Sequence, residues 1–305
     1  LAVRSVRSRT ASPAIKELTR QALDEIERCH QQQGAIRGIA TGLHDLDKMT
    51  DGLHEEEMTV IAAYPGNGKT SLAINIAEHA AIDLQLSVGI FSLEMSAMQL
   101  VLRMLASRSK INLRSVKQGF LMERDFPHIA SAAAKISSSR IFLDDVSTLS
   151  VHQIRASARR MKQQHDIRLV LVDYIQLIGS QSTRRDQNRE QEVSEISRGM
   201  KGLAMELKIP VLGLSQLNDD GKLRESRAIG QDADNVWVIE PDPDKNAKPD
   251  KDVRKMLLKI KKQRNGPTGV VPLTFMQCYT RFEDFAKVNP EDATESNSGR
   301  SPYAN

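Results

Sequence analysis

From residue 58 onward, short apolar runs alternate with segments in which apolar residues recur every three or four positions. Continuous apolar runs are typical of strands buried on both faces, and the wider spacing is typical of amphipathic helices. The predicted strands span 58–63, 87–92, 141–143, 169–173, 211–215 and 236–239. The predicted helices span 69–81, 96–107, 123–137, 151–165 and 192–207. This alternation predicts an α/β fold with a mostly parallel central sheet flanked by helices.

The two ends of the chain have a different pattern. Ser12 and Pro13 favour a helix start, Gly34 favours its end, and one narrow apolar stripe lies between them. The stripe consists of Ile15, Leu18, Ala22, Ile26 and Cys29. This helix either packs on its own domain or docks on a neighbouring subunit, and we expect the second. Near the other end, 255–263 and 270–275 predict a hairpin around Asn265-Gly266-Pro267.

We therefore predict three regions: a flexible N-terminus with a linker helix at 1–34, one α/β domain at 35–288, and a disordered tail at 289–305. The first residues are rich in arginine and serine, which fits a transit peptide or a disordered tether, and we favour the tether. Because the chain begins with Leu1, we expect a fragment or a processed product.

Residues 58–71, Met-Thr-Val-Ile-Ala-Ala-Tyr-Pro-Gly-Asn-Gly-Lys-Thr-Ser, combine a strand, a glycine-containing loop and a helix start. Open backbone N–H groups at a helix N-terminus bind anions, so this segment predicts a nucleotide phosphate loop. We assign phosphate binding to Pro65, Gly66, Asn67, Gly68, Lys69, Thr70 and Ser71. Lys69 would reach the β- and γ-phosphates, and the Thr70 hydroxyl would bind Mg²⁺. Ala63 stands where the motif usually has its first glycine.

Three further polar residues end predicted strands, where ligands of open parallel sheets bind. Asp173 would hold the water shell of Mg²⁺, although an aspartate there is often only a turn former. Glu94 would be the general base, or else a helix cap or an ion-pair partner of Arg103. Gln216 would contact the γ-phosphate and sense hydrolysis.

Lys262 and Arg264 lie two residues apart on one face of the predicted hairpin. They are either a solvated basic edge that discourages strand pairing, or an arginine finger with a companion lysine that reaches a neighbour's γ-phosphate. Spacing alone does not separate these alternatives.

Composition narrows the class of protein. The chain has 305 residues, a net charge of +4 and only two cysteines, Cys29 and Cys278. These features exclude a disulfide framework and permit nucleic acid as a partner without requiring it. No apolar run is long enough to predict a membrane span.

Taken together and in this order, the motifs resemble the DnaB family of bacterial replicative DNA helicases. The matching segments are 41–47 (TGLHDLD), the phosphate loop, 92–95 (SLEM), 172–177 (VDYIQL), 214–218 (LSQLN), 223–226 (LRES), 231–234 (QDAD) and 262–267 (KQRNGP). Loop residues 64–67 and the residues at 227 and 230 depart from the family's common pattern, which suggests a divergent phage or prophage member.

The resemblance implies a RecA-like motor in a homo-hexameric ring, with ATP and Mg²⁺ between subunits and movement along single-stranded DNA. It makes Glu94 the catalytic base, Asp173 the Walker B acid and Gln216 the coupling sensor, with Lys262 and Arg264 acting in trans. It also implies a cytoplasmic protein of a bacterial or phage-infected cell, with a helicase loader and a primase as partners. A related RecA-fold ATPase in recombination and a non-catalytic, ATP-gated DNA-binding scaffold are the alternatives.

Basic loops would face DNA in such a ring, since cations grip phosphates whatever the base sequence. The two basic loops are residues 179–189 and 218–227, and the alternative is that both are solvated runs of charge. The predicted DNA-binding residues are Arg184, Arg185, Arg224, Glu225 and Arg227.

Overall fold

A computed structural model describes residues 14–31, 34–146, 149–179, 189–218, 227–243 and 252–285. The chain divides into two compact units with the boundary between Arg37 and Gly38. The predicted tail at 289–305 lies outside the described residues.

The first unit contains helix α1, Ile15–Gln31. Within the described residues this confirms the predicted N-terminal helix, whereas Pro13 and Gln33 fall outside them. Gly34 follows with a φ of +83°, a left-handed conformation that glycine adopts without strain. Along α1, Ile15 and Ile26 are 78% and 62% exposed. Both of these stripe residues are therefore exposed.

The second unit is built on one sheet that, in the described residues, has nine strands. These are β1 (Met58–Ala63), β2 (Val88–Ser92), β3 (Ile141–Asp144), β4 (Leu169–Asp173), β5 (Val211–Gln216), β6 (Asn235–Pro241), β7 (Val253–Gln263), β8 (Gly269–Met276) and β9 (Arg281–Asp284). Their order is β3-β2-β4-β5-β1-β6-β7-β8-β9. Strands β1 to β6 pair in parallel, and β6 to β9 pair antiparallel. The predicted mostly parallel sheet and the hairpin, β7–β8, are confirmed.

In the second unit one described helix precedes β1, and the others lie in the connections between the parallel strands. They are α2 (His44–Thr50), α3 (Lys69–Glu78), α4 (Ala97–Ser109), α5 (Leu113–Gln118), α6 (Asp125–Ser137), α7 (Val151–His165), α8 (Arg189–Leu207) and α9 (Arg227–Asp232). The last turn predicted for α3 continues as a π-helical turn, His79–Asp83. Sequence periodicity did not predict α2, α5, α9 or β9, because each is too short to show a repeat.

The parallel strands read as continuous apolar runs because both faces of the sheet are covered. β1, β2 and β4 are buried at every position. One core cluster lies on the side of α3 and includes Leu72 and Ile76, and another lies on the side of α7 and α8 and includes Ile154 and Met200. Parallel connections place the carboxyl ends of β1, β2, β4 and β5 at one edge of the sheet.

None of the helices in the described ranges is both long enough and apolar enough to cross a bilayer.

Candidate active site

The loop between β1 and α3 is shaped by its glycines. Gly66 and Gly68 both have a φ of +80°, where other residues are strained. A Cβ on Gly68 would also lie 2.8 Å from the ring of Phe282 and 3.0 Å from that of Phe275. No described side chain caps the start of α3. The first amides of this helix are therefore available to an anion.

Lys69, Thr70 and Asp173 meet at the carboxyl edge. The Thr70 hydroxyl donates to Asp173 Oδ2 at 2.8 Å, and Lys69 Nζ lies 3.9 Å from Asp173 Oδ1. Lys69 Nζ also lies 4.5 Å from the centroid of the Tyr174 ring. The two predicted metal-site residues are thus in direct contact.

Burial has the largest effect on the pKa values of Lys69 and Asp173. It lowers the pKa of Lys69, against the charges of Asp173 and Glu94, which raise it. It raises the pKa of Asp173, against the opposing effects of Lys69 and Thr70. Asp173 Oδ1 is buried and has no hydrogen-bond partner among the described residues. A hydrated Mg²⁺ would supply both the missing donor and the charge, so Thr70 and Asp173 fit this ion.

Sheet register brings Glu94 and Gln216 to the same edge. Ser92, two residues before Glu94, pairs with Asp173, and Ala63 pairs with Gln216. Together they border a cleft of about 400 Å³. Its lining is Ala63, Tyr64, Pro65, Gly66, Gly68, Lys69, Thr70, Ser71, Glu94, Met95, Arg103, Leu113, Gln216, Phe275, Gln277 and Thr280. The cleft has the size of a nucleotide site.

Sequence reasoning missed Arg103 as a cleft residue and considered it only as an ion-pair partner of Glu94. Burial lowers the pKa of Arg103, while the charges of Asp173 and Glu94 raise it. Arg103 Nε is buried without a hydrogen-bond partner in the described part of the chain. Its place on α4, nine residues after Glu94, was the available signal. An arginine so placed suits a phosphate.

Lys262 and Arg264 do not line the cleft of their own subunit. Lys262 Nζ donates to backbone carbonyls around the end of α9, and Arg264 pairs with Asp234 at 3.1 Å. Burial and the charge of Arg264 lower the pKa of Lys262. The pair is therefore not a freely solvated basic edge, and its predicted action in trans stays a prediction.

The predicted DNA-binding residues Arg184, Arg185, Arg224 and Glu225 lie outside the described residues. Arg227 begins α9, and only its backbone is described. Their roles also stay predictions.

The phosphate loop follows β1 at the carboxyl edge of the sheet, Asp173 ends β4 at the same edge, and Glu94 lines the cleft. This arrangement defines a P-loop NTPase of RecA-like fold. The sequence model of the DnaB-like helicase C-terminal domain matches residues 38–284. The chain belongs to that family, which confirms the resemblance seen in the motifs.

Known proteins similar to the chain agree with this assignment. The replicative DNA helicase DnaC of Bacillus subtilis is 42% identical over 88% of the chain and 61% of the relative. DnaB of Geobacillus stearothermophilus is 41% identical, with the same two coverages. The chain thus spans about three fifths of the length of these relatives.

Two solved structures show the same fold. One is an isolated ATPase domain, which has a TM-score of 0.81 at 30% identity and matches 90% of this chain and 100% of that one. The other, a DnaB-like replicative helicase studied for its interactions with primase, has a TM-score of 0.78 at 30% identity and matches 90% of this chain and 68% of that one.

Proposed function

We propose that this chain is the motor of a replicative DNA helicase, which hydrolyses ATP with Mg²⁺ and moves along single-stranded DNA. The observation that supports it best is the cleft, which Lys69, Thr70, Glu94 and Gln216 line and where Asp173 contacts Thr70 and Lys69. The relatives at 41–42% identity carry the name of this activity.

Each of these five residues would have a part in this reaction. The open amides of the phosphate loop and Lys69 would hold the phosphates of ATP. Thr70 and Asp173 would hold Mg²⁺, which neutralises charge on the phosphates when it is bound. Glu94 is placed to orient and deprotonate a water molecule at the γ-phosphate. Gln216 ends β5 beside the cleft, and its side chain amide would bond to the γ-phosphate before hydrolysis and lose that bond afterwards.

We place the complete site between subunits of a hexameric ring. A trans arrangement is supported by two features: Arg264 is 49% exposed yet outside its own cleft, and Ile15 and Ile26 of α1 are exposed. We assign contact with DNA phosphates to the basic residues at 184–185 and 224–227. Primase and a helicase loader are the proposed partners, in the cytoplasm of a bacterial or phage-infected cell.

One sample tests the function. Particle size is measured with and without ATP and Mg²⁺, followed by unwinding of a forked duplex and by binding of single-stranded DNA at rising salt. We expect a ring, unwinding that depends on ATP, and a salt slope that Arg224→Ala flattens by about 0.7. The matched control is Arg114→Ala, which removes an exposed arginine of α5. Hydrolysis without unwinding would favour another RecA-fold ATPase, and binding without hydrolysis would favour a scaffold.

A further inference from the structure

Lys262 has no N–H left for a phosphate. Its Nζ donates to the carbonyl oxygens of Gly230, Gln231 and Ala233 at 2.9, 2.9 and 2.5 Å. An ammonium group has three donors, and all three are used. Carbonyls at a helix C-terminus have no partner within the helix, and the helix dipole favours a cation there. Lys262 is therefore the cap of α9 in its own subunit.

Arg264 is held by the same end of α9. Its Nη1 lies 3.1 Å from Asp234 Oδ1, and its Nη2 donates to the Gln231 carbonyl at 3.3 Å. The Arg264 side chain is 49% exposed, whereas that of Asp234 is 6% exposed. The buried carboxylate of Asp234 thus binds the guanidinium group of Arg264, which lies at the surface.

Asp234 divides its charge between two cations. Asp234 Oδ2 accepts from Lys201 Nζ at 2.7 Å and from the Met58 amide at 2.8 Å. Lys201 also donates to the Glu56 carbonyl at 2.8 Å, which fixes it beside Asp234. Lys201 and Arg264 bind different oxygens of the same carboxylate, so Lys201 weakens the hold on Arg264 only by offsetting part of the charge of Asp234.

We propose that Asp234 is a positioning residue: it holds Arg264 inside its own subunit, while the carbonyls at the end of α9 hold Lys262 there. A nucleotide bound to a neighbouring subunit then draws Arg264 and Lys262 away from these partners. This inference rests on the proposed trans role of Arg264. The cations exchange cis partners for a phosphate, so the fraction of subunits that have released them limits turnover. Loosening the cis hold raises that fraction, and tightening it lowers the fraction.

Two substitutions in the same network give opposite expected results. Asp234→Asn keeps an oxygen for the Met58 amide but loses the charge that holds Arg264, so kcat for ATP should rise on the order of threefold or more. Lys201→Met leaves Asp234 to Arg264, so kcat should fall by a similar factor. A merely structural role would lower kcat in both variants, and thermal unfolding of each variant shows whether the fold is kept.

The inference is overturned if Asp234→Asn is no faster than the wild type, or if Lys201→Met is no slower. Should Asp234→Asn fail to fold, Lys201→Met is judged together with its thermal unfolding. A lower kcat at an unchanged melting temperature supports the inference, whereas an unchanged kcat or a lowered melting temperature overturns it. Arg264→Ala separates this inference from the proposed function. If Arg264→Ala keeps its turnover, the trans role and this inference fail together. If Arg264→Ala is inactive and Asp234→Asn is not faster, only this inference fails.

Discussion

The nucleotide cleft and the Lys262–Arg264 pair lie on one sheet but differ in whether their polar groups have hydrogen-bond partners. At the cleft, Arg103 Nε in its lining and Asp173 Oδ1 beneath Lys69 and Thr70 are buried without hydrogen-bond partners among the described residues. At β7, all three donors of Lys262 are used and Arg264 is paired. Buried polar groups without partners cost free energy unless a ligand supplies the partners. The cleft thus has polar groups that a ligand would satisfy, whereas the proposed action of Lys262 and Arg264 in trans requires them to give up their present partners.

Lys69→Ala is the most severe test of the cleft. The loop amides remain, but the mobile charge on the phosphates is lost, so ATP hydrolysis should be abolished and nucleotide binding weakened. Steady-state turnover and nucleotide titration measure this. Lys135→Ala, an exposed lysine on α6, should behave as the wild type. Normal turnover in Lys69→Ala would contradict the assignment of the cleft.

Glu94→Gln separates chemistry from binding within the cleft. The amide keeps the shape of the side chain but cannot accept the proton of water, so kcat should fall on the order of 10²-fold while ATP and DNA still bind. Glu123→Gln, at an exposed position before α6, is the matched control. An unchanged kcat would mean that the general base lies elsewhere.

Ile26→Asp tests the exposed apolar residues of α1, of which Ile26 is 62% exposed. If a second subunit covers Ile26, burying an unpaired charge there should weaken the oligomer by several kcal/mol, roughly, and leave the second unit folded. Sedimentation and circular dichroism measure the two effects. Gln21→Asp makes the same charge change away from the stripe and should keep the oligomer. A ring that persists in Ile26→Asp, or a monomer that unfolds, would contradict docking in trans.

Glu78 is a buried carboxylate with an unsatisfied oxygen, like Asp173, but it does not line the nucleotide cleft. It lies at the far end of α3 with its Oε1 unsatisfied, and its Oε2 accepts from Ser107 at 3.1 Å. Burial raises its pKa from 4.5 to about 7, although Arg108 opposes the shift. The folded protein therefore holds a proton that the unfolded chain releases, and stability should fall as pH rises from 4.5 through about 7.

Glu78→Gln should remove that pH dependence. Near pH 8 the variant should be more stable than the wild type by no more than about 3 kcal/mol, and near pH 4.5 the two should be alike. Denaturant unfolding at both pH values measures the difference, with Glu123→Gln as the control. A variant less stable than the wild type near pH 8 would show that the contact with Arg108 outweighs the cost of burial.

Sequence periodicity predicted the parts of the fold that depend on local pattern. β1 and β4 have the predicted bounds because each is an apolar run buried on both faces. Their ends carried the signal for Asp173 and Gln216, because parallel strands bring their carboxyl ends to one edge. The short elements α2, α5, α9 and β9 gave no repeat to detect.

The remaining cleft residues depend on contacts between distant parts of the chain. Leu113, Gln277 and Thr280 line the cleft from α5 and from the turn after β8, and nothing in their local sequence marks them. The contacts of Lys262 with α9 were hidden for the same reason, since they join residues about thirty positions apart. Spacing placed Lys262 and Arg264 on one face but could not show what that face meets.

Mixing two inactive variants tests the central claim, that ATP is hydrolysed where the cleft of one subunit meets Arg264 of another. Arg264→Ala keeps its own cleft, and Lys69→Ala keeps its own finger, so each oligomer alone should be inactive, the finger being worth ~10³ or more in comparable sites. The mixture should regain partial turnover, whereas Lys69→Ala mixed with the control Arg254→Ala, from strand β7, which ends just before Arg264, should show only the activity expected from dilution. A mixture of the two inactive variants that stays inactive after confirmed subunit exchange, or Arg264→Ala that is active alone, would contradict the account.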